Sequence, residues 1–210
     1  MKTWTFTALS AEFDFPYRTL MRWRKPPLSI SPSVRIPGKA KAEFSKADVA
    51  LFLTARRAFA ADLLAPEVKG LLNFLREYEI MEAIFSDDAK VATWGRNKLD
   101  DGSTLLVMPL RDPTLRKQTN EYIKNHEYIP MGKDDPVIIA SGAIGAEQFQ
   151  KNINVLVSAQ WQFALIDLAS IVREFDGRLD AIAHNRDYKQ TIAAGNQALA
   201  AALVEHANKN

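Results

Sequence analysis

Apolar residues that recur three or four positions apart indicate the first helices. This spacing occurs over residues 6–13 and predicts a helix there, with Thr5 or Thr7 as its N-cap. Pro16 suits the first turn of a second helix, because the N–H that proline lacks would have no helical partner there. The second helix should end near Arg24, ahead of two consecutive prolines.

The composition changes between Leu28 and Glu43 to serine, proline, glycine and lysine with interspersed aliphatic residues. Pro37-Gly38 is a turn dipeptide that lies between short runs able to form strands. This segment therefore predicts a small β-hairpin after the second helix.

Two longer helices are expected next. Ser45 can cap the first of them, and Asp48 lies three residues further on, near the positive end of the helix dipole. A further helix restarts at Ala65-Pro66-Glu67, with its proline in the first turn. The inner face of the helix capped by Ser45 should carry Val49, Phe52, Leu53 and Ala60.

Beyond about residue 80 the pattern favours strands. Lys90–Trp94 and Thr104–Pro109 bracket the turn signal Asp100-Asp101-Gly102-Ser103, which predicts a β-hairpin. Residues 111–127 are polar and are expected to be helical in part. Val137–Ala140 is a compact apolar run of the length of a buried strand.

The last third of the chain should contain further strands and two helices. Residues 152–157 and 160–166 have the character of strands, and Asp167 can cap a helix over Leu168–Ile182. Residues 188–206 are rich in alanine and helical by propensity. The whole pattern predicts an α+β fold, mostly helical over 1–80 and mixed α/β over 81–210, ending in two helices.

Charge is distributed unevenly along the chain. The net charge of +2 on 210 residues would by itself argue against a polyanionic partner. Residues 1–63, however, contain eleven basic and five acidic side chains, whereas residues 64–210 contain 16 basic and 20 acidic ones. The N-terminal part therefore has an excess of six positive charges, as expected of a domain that contacts a polyanion.

The chain contains no cysteine, which excludes disulfides, thiolate nucleophiles and cysteine-ligated metals. Its N-terminus lacks the apolar core of a signal peptide, and no apolar window has the length of a membrane span. We therefore expect a cytoplasmic protein.

The two N-terminal helices have separate apolar and basic faces. Helical spacing turns one group of side chains inward as anchors, namely Leu9, Phe13, Phe15, Leu20 and Trp23. It turns another group outward, namely Tyr17, Arg18, Met21, Arg22 and Lys25. Three positive charges and a tyrosine on one helix face are suited to a DNA major groove and its flanking phosphates.

These residues resemble the winged helix-turn-helix of MerR-type transcription regulators and their excisionase-like relatives. The resemblance covers about the first 75 residues. Asp14 stands where such turns usually have glycine, and Ser10 stands where they have alanine. The matching positions are Leu9-Ser10, Phe15, Thr19-Leu20, Arg22-Trp23, the basic hairpin Arg35–Lys41, Phe44-Ser45-Lys46-Ala47-Asp48-Val49 and Ala65-Pro66-Glu67-Val68-Lys69.

The resemblance implies a DNA-binding domain at 1–80. Its recognition helix would be 16–25, with contacts from Arg18 and Arg22, and its wing would be 30–43. The wing's phosphate contacts would be Arg35, Lys39 and Lys41. No metal-sensing role is implied, because the cysteines of the metal sensors are missing.

No constellation of residues predicts catalysis. The histidines His126, His184 and His206 lie far apart and show no metal-ligand spacing. The acidic pairs each adjoin turn residues, and Arg56-Arg57 is expected to form part of a solvated face. We therefore expect no enzyme, no cofactor and no metal site.

The expected function is transcription regulation by a homodimer that binds double-stranded DNA. Residues 81–210 would dimerise or bind an unknown small-molecule effector, and no membrane partner is expected. One small helix-turn-helix makes few contacts, so two copies on adjacent half-sites are the usual arrangement. Two alternatives stay open, an excisionase-like factor that bends DNA and a protein–protein adaptor with a structural helix-turn-helix.

Overall fold

Helices dominate the N-terminal half of the chain. The computed structural model describes residues 2–35, 37, 42–100, 104–109, 111, 137–141 and 164–184. Its elements are α1 Phe6–Phe13, α2 Tyr17–Trp23, α3 Lys46–Ala60, α4 Ala65–Glu77, α5 Ile80–Ile84, α6 Ala89–Asp100, β1 Thr104–Pro109, β2 Val137–Ser141, β3 Ala164–Asp167 and α7 168–184. The predicted α+β class is confirmed at this level.

The three strands form one antiparallel sheet in the order β2-β1-β3. β1 is central, with Val107 opposite Ile139 of β2 on one side and Ala164 of β3 on the other. The predicted strand at 137–140 is confirmed, and β3 forms the end of the strand expected over 160–166. α7 begins directly after Asp167 and confirms the helix expected over 168–182.

Helix α3 lies in the centre of the helical part. Its residues from Ala47 to Ala55 are all buried, and it packs against α4 and α5. The predicted inner residues Val49, Phe52 and Leu53 are fully buried, but Ala60 at the end of the helix is exposed. A single apolar stripe therefore underestimates how much of α3 is buried, because neighbouring elements cover its first turns on every side.

Both predicted helix starts are confirmed. Ser45 Oγ accepts a hydrogen bond of 3.1 Å from the Asp48 N–H, and the Asp48 carboxylate accepts one of 2.8 Å from the Ser45 N–H. This reciprocal pair is a capping box. At α4 the Glu67 carboxylate accepts a 2.7 Å bond from the N–H of Leu64, ahead of the proline-containing first turn.

A bidentate ion pair connects the start of α4 to the end of β1. Arg111 donates to both carboxylate oxygens of buried Glu67, from Nε at 2.7 Å and from Nη2 at 2.9 Å. Nη2 also donates to the Asp62 carbonyl oxygen at 3.0 Å, in the turn between α3 and α4. The central strand is thereby joined to the α3–α4 turn.

Of the hairpin predicted from Lys90–Trp94 and Thr104–Pro109, the second strand is confirmed as β1, but the first is wrong, because residues 89–100 form the helix α6. The Asp88 carboxylate accepts from the N–H groups of Lys90 at 2.8 Å and Val91 at 3.2 Å, which satisfies the first turn of a helix. Gly95 is buried where α6 crosses α5. Capping and close packing therefore outweigh the nearby turn signal that suggested a strand.

The chain divides into two compact units, Met1–Val172 and Arg173–Asn210. The boundary expected at residue 80 lies within the first unit and stays a prediction. The helix expected within 111–127, apart from Arg111, the strand at 152–157 and the helix at 188–206 lie outside the described residues. Within the described ranges, no helix combines the length and apolar character that a membrane crossing requires.

Because of the Glu67–Arg111 pair, we expect the free energy of unfolding to decrease at acidic pH. Burial raises the pKa of Glu67, but the hydrogen bonds from Arg111 and Leu64 and the charge of Arg111 together hold that pKa below its ordinary value of 4.5. A lowered folded-state pKa contributes stability above the unfolded pKa, and this is lost as pH falls through the folded value. Glu67→Gln should lower the free energy of unfolding at pH 7 by about 1–3 kcal/mol, since Arg111 is partly solvated.

Urea unfolding from pH 7 to pH 3 measures this effect. The difference between wild type and Glu67→Gln should shrink as the pH falls below about 4.5. Glu77→Gln, an exposed position on the same helix, is the matched control and should change little. A constant difference over the whole pH range would contradict the assignment.

The α5–α6 crossing predicts that Gly95 cannot be enlarged. A Cβ there would lie 2.9 Å from the backbone carbon of Ala83 and 2.9 Å from the nitrogen of Ile84. Gly95→Ala should therefore destabilise the protein by about 1–3 kcal/mol despite its higher helix propensity. Gly177→Ala in α7 has no atom within 4 Å of the new Cβ and should be neutral or stabilising by up to about 1 kcal/mol, as thermal unfolding can show.

Candidate nucleic-acid interface

Helices α1 and α2 are held by the five apolar anchors that the sequence predicts. All of them are buried, and Leu9, Phe13 and Leu20 are completely so. The Trp23 ring stacks on Phe59 at 5.4 Å and on Phe52 at 6.2 Å between ring centroids. The remaining anchor, Phe15, meets Trp23 edge-on at 6.0 Å. Aromatic surface thus fixes which side of α2 faces the core.

The turn between α1 and α2 is set by one left-handed residue and one side-chain hydrogen bond. Asp14 has φ 55° and ψ 39°, the conformation in which aspartate replaces the more usual glycine. Ser10 Oγ donates to the Phe15 carbonyl oxygen at 2.6 Å across the turn. The small residue at position 10 therefore connects α1 to the start of α2.

Arg56 of α3 binds the turn between α1 and α2. This corrects the expectation that Arg56-Arg57 forms part of a solvated face. Its Nη1 donates to the Phe13 carbonyl oxygen at 3.1 Å, and its guanidinium carbon lies 4.6 Å from the centre of the Phe15 ring. Arg56 is half-buried, whereas Arg57 is exposed. The sequence Arg56-Arg57 does not show which of the two arginines is buried, because the carbonyl group that Arg56 binds belongs to Phe13, forty-three residues earlier in the chain.

The exposed side of α2 and the residues directly after it carry positive charges that form no ion pair among the described residues. We call Tyr17, Arg18, Arg22 and Lys25 the basic face. All four are exposed, Tyr17 by 51%, and Met21 between them is half-buried. Among the described residues, no acidic side chain forms an ion pair with the three cations. By contrast, Lys2 pairs with Glu12 at 3.3 Å and Lys46 with Asp87 at 3.5 Å.

Phe6 of α1 supports one edge of the basic face. The Tyr17 ring meets Phe6 edge-on at 6.3 Å, and the Arg24 guanidinium carbon lies 5.6 Å from the same ring. Phe6 in turn packs edge-on against buried Phe44 at 4.7 Å. Arg24 is therefore a further exposed cation near this face, which sequence reasoning missed because helical spacing alone does not reveal its contact with α1.

The structure describes the base of the predicted hairpin, whereas residues 36 and 38–41 lie outside the described residues and the hairpin itself stays a prediction. Val34 and Glu43 form an antiparallel bridge, with N–H to oxygen distances of 3.0 and 2.8 Å in the two directions. Arg35, directly after this bridge, is exposed. Lys39 and Lys41, the other two predicted wing contacts, lie outside the described residues. Of the three predicted wing cations, the structure thus places one.

Two neighbouring segments hold the base of this hairpin. Phe44 and Trp4 exchange backbone hydrogen bonds of 2.8 and 3.0 Å, and Thr3 Oγ1 donates to the buried Glu43 carboxylate. On the α2 side, the Ile30 N–H donates to the Trp23 carbonyl oxygen at 3.0 Å, and Ile30 is fully buried. The hairpin base is thereby fastened to both the N-terminal segment and α2.

Groups suited to metal binding are not assembled in the part of the chain that the structure describes. No three histidine, aspartate or glutamate residues there could hold a metal ion together. His184 is exposed at the end of α7. His126 and His206 lie outside the described residues.

Arg56 predicts a measurable contribution to the turn. Arg56→Met should lower the free energy of unfolding by about 1–3 kcal/mol, because a carbonyl acceptor loses a charged donor and the Phe15 ring loses its cation. Lys69→Met, an exposed cation on α4, is the control and should change stability by less than about 0.5 kcal/mol. Equal effects of the two substitutions in urea unfolding would contradict the structural role of Arg56.

Comparisons with known proteins do not assign the chain to a family. No family model matches the sequence, and no curated protein sequence matches it. The functional interpretation therefore depends on the geometry of α1, α2 and the hairpin.

Proposed function

We propose that the protein is a transcription regulator that binds double-stranded DNA through a winged helix-turn-helix. α1 and α2 would be the helix-turn-helix, with residues 16–25 as the recognition helix and residues 30–43 as the wing. The observation that carries the proposal is the basic face, whose three cations are exposed and unpaired by any described carboxylate. The protein acts by binding and carries out no chemical step.

The spacing of the basic face suits a DNA groove. Arg18 and Arg22 are four residues apart on α2, so they lie on one side of the helix, and Lys25 follows two residues after its end. The opposite side is closed by Leu20 and Trp23, which are buried. A single helix with one apolar and one basic side fits a major groove about 12 Å wide while its partner helix supports it.

Different members of the face have different tasks. Tyr17 and Arg18 lie in the first turn of α2, the end of a recognition helix that contacts base edges. Arg22 and Lys25 lie further along, where phosphate contacts position the helix without reading sequence. Arg35, with Lys39 and Lys41, would add phosphate contacts from the wing.

The charge of the remaining chain is consistent with this assignment. Residues 64–210 have a net negative charge and gain nothing from a phosphate backbone. A single domain of this size reads too few base pairs for useful specificity, so we propose that the protein binds as a homodimer. Residues 81–210 would supply the dimer contacts or a site for a small-molecule effector.

Salt-dependent binding to duplex DNA tests the proposal. The 210-residue chain should bind a fluorescein-labelled 40-bp duplex of mixed sequence, and fluorescence anisotropy follows this binding from 50 to 200 mM KCl. If Arg22, Lys25, Arg35, Lys39 and Lys41 each neutralise one phosphate, log K should fall with log salt with a slope of about −4 to −5 per protomer. Arg22→Ala should reduce that slope by about 1.

The control variant is Lys69→Ala, which removes one exposed positive charge from α4 outside the basic face. It should leave the slope unchanged. Selection from a randomised duplex pool then tests sequence reading, where Arg18→Ala should relax the selected sequence at one position and cost about 1–3 kcal/mol. Absence of salt-dependent binding by the wild type would refute the proposed function and favour a protein–protein adaptor.

A further inference from the structure

We propose that Ser33 is a positioning residue that holds the wing, and with it Arg35, against the start of α3. The inference rests on the proposed DNA-binding function and identifies a residue that acts on DNA affinity without contacting DNA. Ser33 carries no charge and lies outside the basic face, so neither charge nor helical spacing points to it.

One carboxylate oxygen receives three hydrogen bonds at this point. Asp48 Oδ2 accepts from Ser33 Oγ at 2.5 Å, from the Ser33 N–H at 3.1 Å and from the Ser45 N–H at 2.8 Å. Asp48 is only 8% exposed. Hydrogen bonds to an ionised acceptor are about twice as strong as neutral ones, so this contact is a firm link between two segments fifteen residues apart.

The charge of Asp48 is balanced from within the protein. Arg76 of α4 attracts Asp48 electrostatically, and burial lowers the pKa of Arg76 while Asp48 and Glu82 favour its charged form. Asp48 is thus a buried acceptor whose charge interacts with that of Arg76. Ser33 uses this acceptor from the exposed side of the protein.

The contact lies where it can control the wing. Ser33 immediately precedes Val34, whose bridge to Glu43 closes the hairpin, and Arg35 follows on the exposed side. A fixed Ser33 therefore restricts the backbone that carries Arg35.

The Ser33 hydroxyl has no part in capping α3. The capping box is complete through Ser45 and Asp48, and the Ser33 N–H bond to Asp48 survives any side-chain change. Removing the hydroxyl should therefore spare the helix and loosen the wing. Binding to DNA would then have to order Arg35 at a cost in conformational entropy, whereas the wild type has already lost this entropy in folding.

Four variants separate positioning from general stability. Ser33→Ala removes the hydroxyl, Ser33→Thr retains it, Arg35→Ala removes the cation, and Ser33→Ala/Arg35→Ala combines both losses. Ser86→Ala is the matched control, because Ser86 Oγ accepts one hydrogen bond from Asp88 N–H at 3.1 Å at the start of α6. Each variant is measured by thermal unfolding and by anisotropy on the 40-bp duplex over the same salt series.

Ser33→Ala should bind about three- to tenfold more weakly at 100 mM salt and show a salt slope reduced by up to about 1, the effect of one phosphate contact. Ser33→Thr should restore both values. In the Arg35→Ala background, Ser33→Ala should add less than a twofold change, because both substitutions remove the same contact. Ser86→Ala should leave affinity and slope unchanged even where its thermal midpoint falls as far as that of Ser33→Ala.

Two results would overturn the inference while the proposed function stands. The first is wild-type DNA binding that Ser33→Ala leaves unchanged. The second is a loss of affinity that is fully additive with Arg35→Ala and equalled by Ser86→Ala, which would show a purely structural effect. If wild type itself shows no salt-dependent binding, the proposed function fails instead, so the two failures are distinguishable.

Discussion

The Asp48 carboxylate is the interaction on which the basic N-terminal part depends. It closes the capping box that begins α3, and it receives the backbone and hydroxyl of Ser33 at the base of the hairpin. A buried anion without such donors would be costly, whereas three donors and the nearby positive charge of Arg76 stabilise it. The Asp48 side chain therefore fixes both the start of α3 and the position of the hairpin base beside that start.

Helix α2 depends on α3 in a second way, through aromatic packing. Trp23 stacks on Phe52 and Phe59 of α3, and Arg56 of the same helix binds the end of α1. These contacts bury one side of α2 and leave the basic face on the other. The exposure of positive charge is thus a consequence of where the rings pack, and no surface ion pair among the described residues neutralises it.

A second capping carboxylate, that of Glu67, joins the helices to the sheet. Glu67 caps α4 and at the same time binds Arg111 beyond the end of β1, the central strand. In both places a single carboxylate caps a helix and fastens a distant segment to it. This use of caps as tertiary anchors explains why Asp48 and Glu67 are among the few buried polar residues in the described part of the chain.

Local signals predicted the helical part well, because its helix starts are encoded within a few residues. Thr5, Ser45 and Pro66 mark three helix starts, and the inward positions of Leu9, Leu20 and Trp23 follow from spacing alone. The prediction failed at Lys90–Trp94, where the turn signal at residues 100–103 suggests a strand. A cap at Asp88 and the tight crossing at Gly95 make it a helix, and the crossing depends on a neighbouring element.

Sequence by itself determined the caps, the apolar anchors, the outward position of Arg18 and Arg22 and the excess of positive charge before residue 64. These follow from periodicity and from hydrogen bonds that span three or four residues. The tertiary structure alone decided the roles of Ser33, Arg56 and Arg111, whose partners are 15, 43 and 44 residues away. Such contacts are set by how helices pack around a shared core, and no local pattern records which distant carboxylate or carbonyl a side chain will meet.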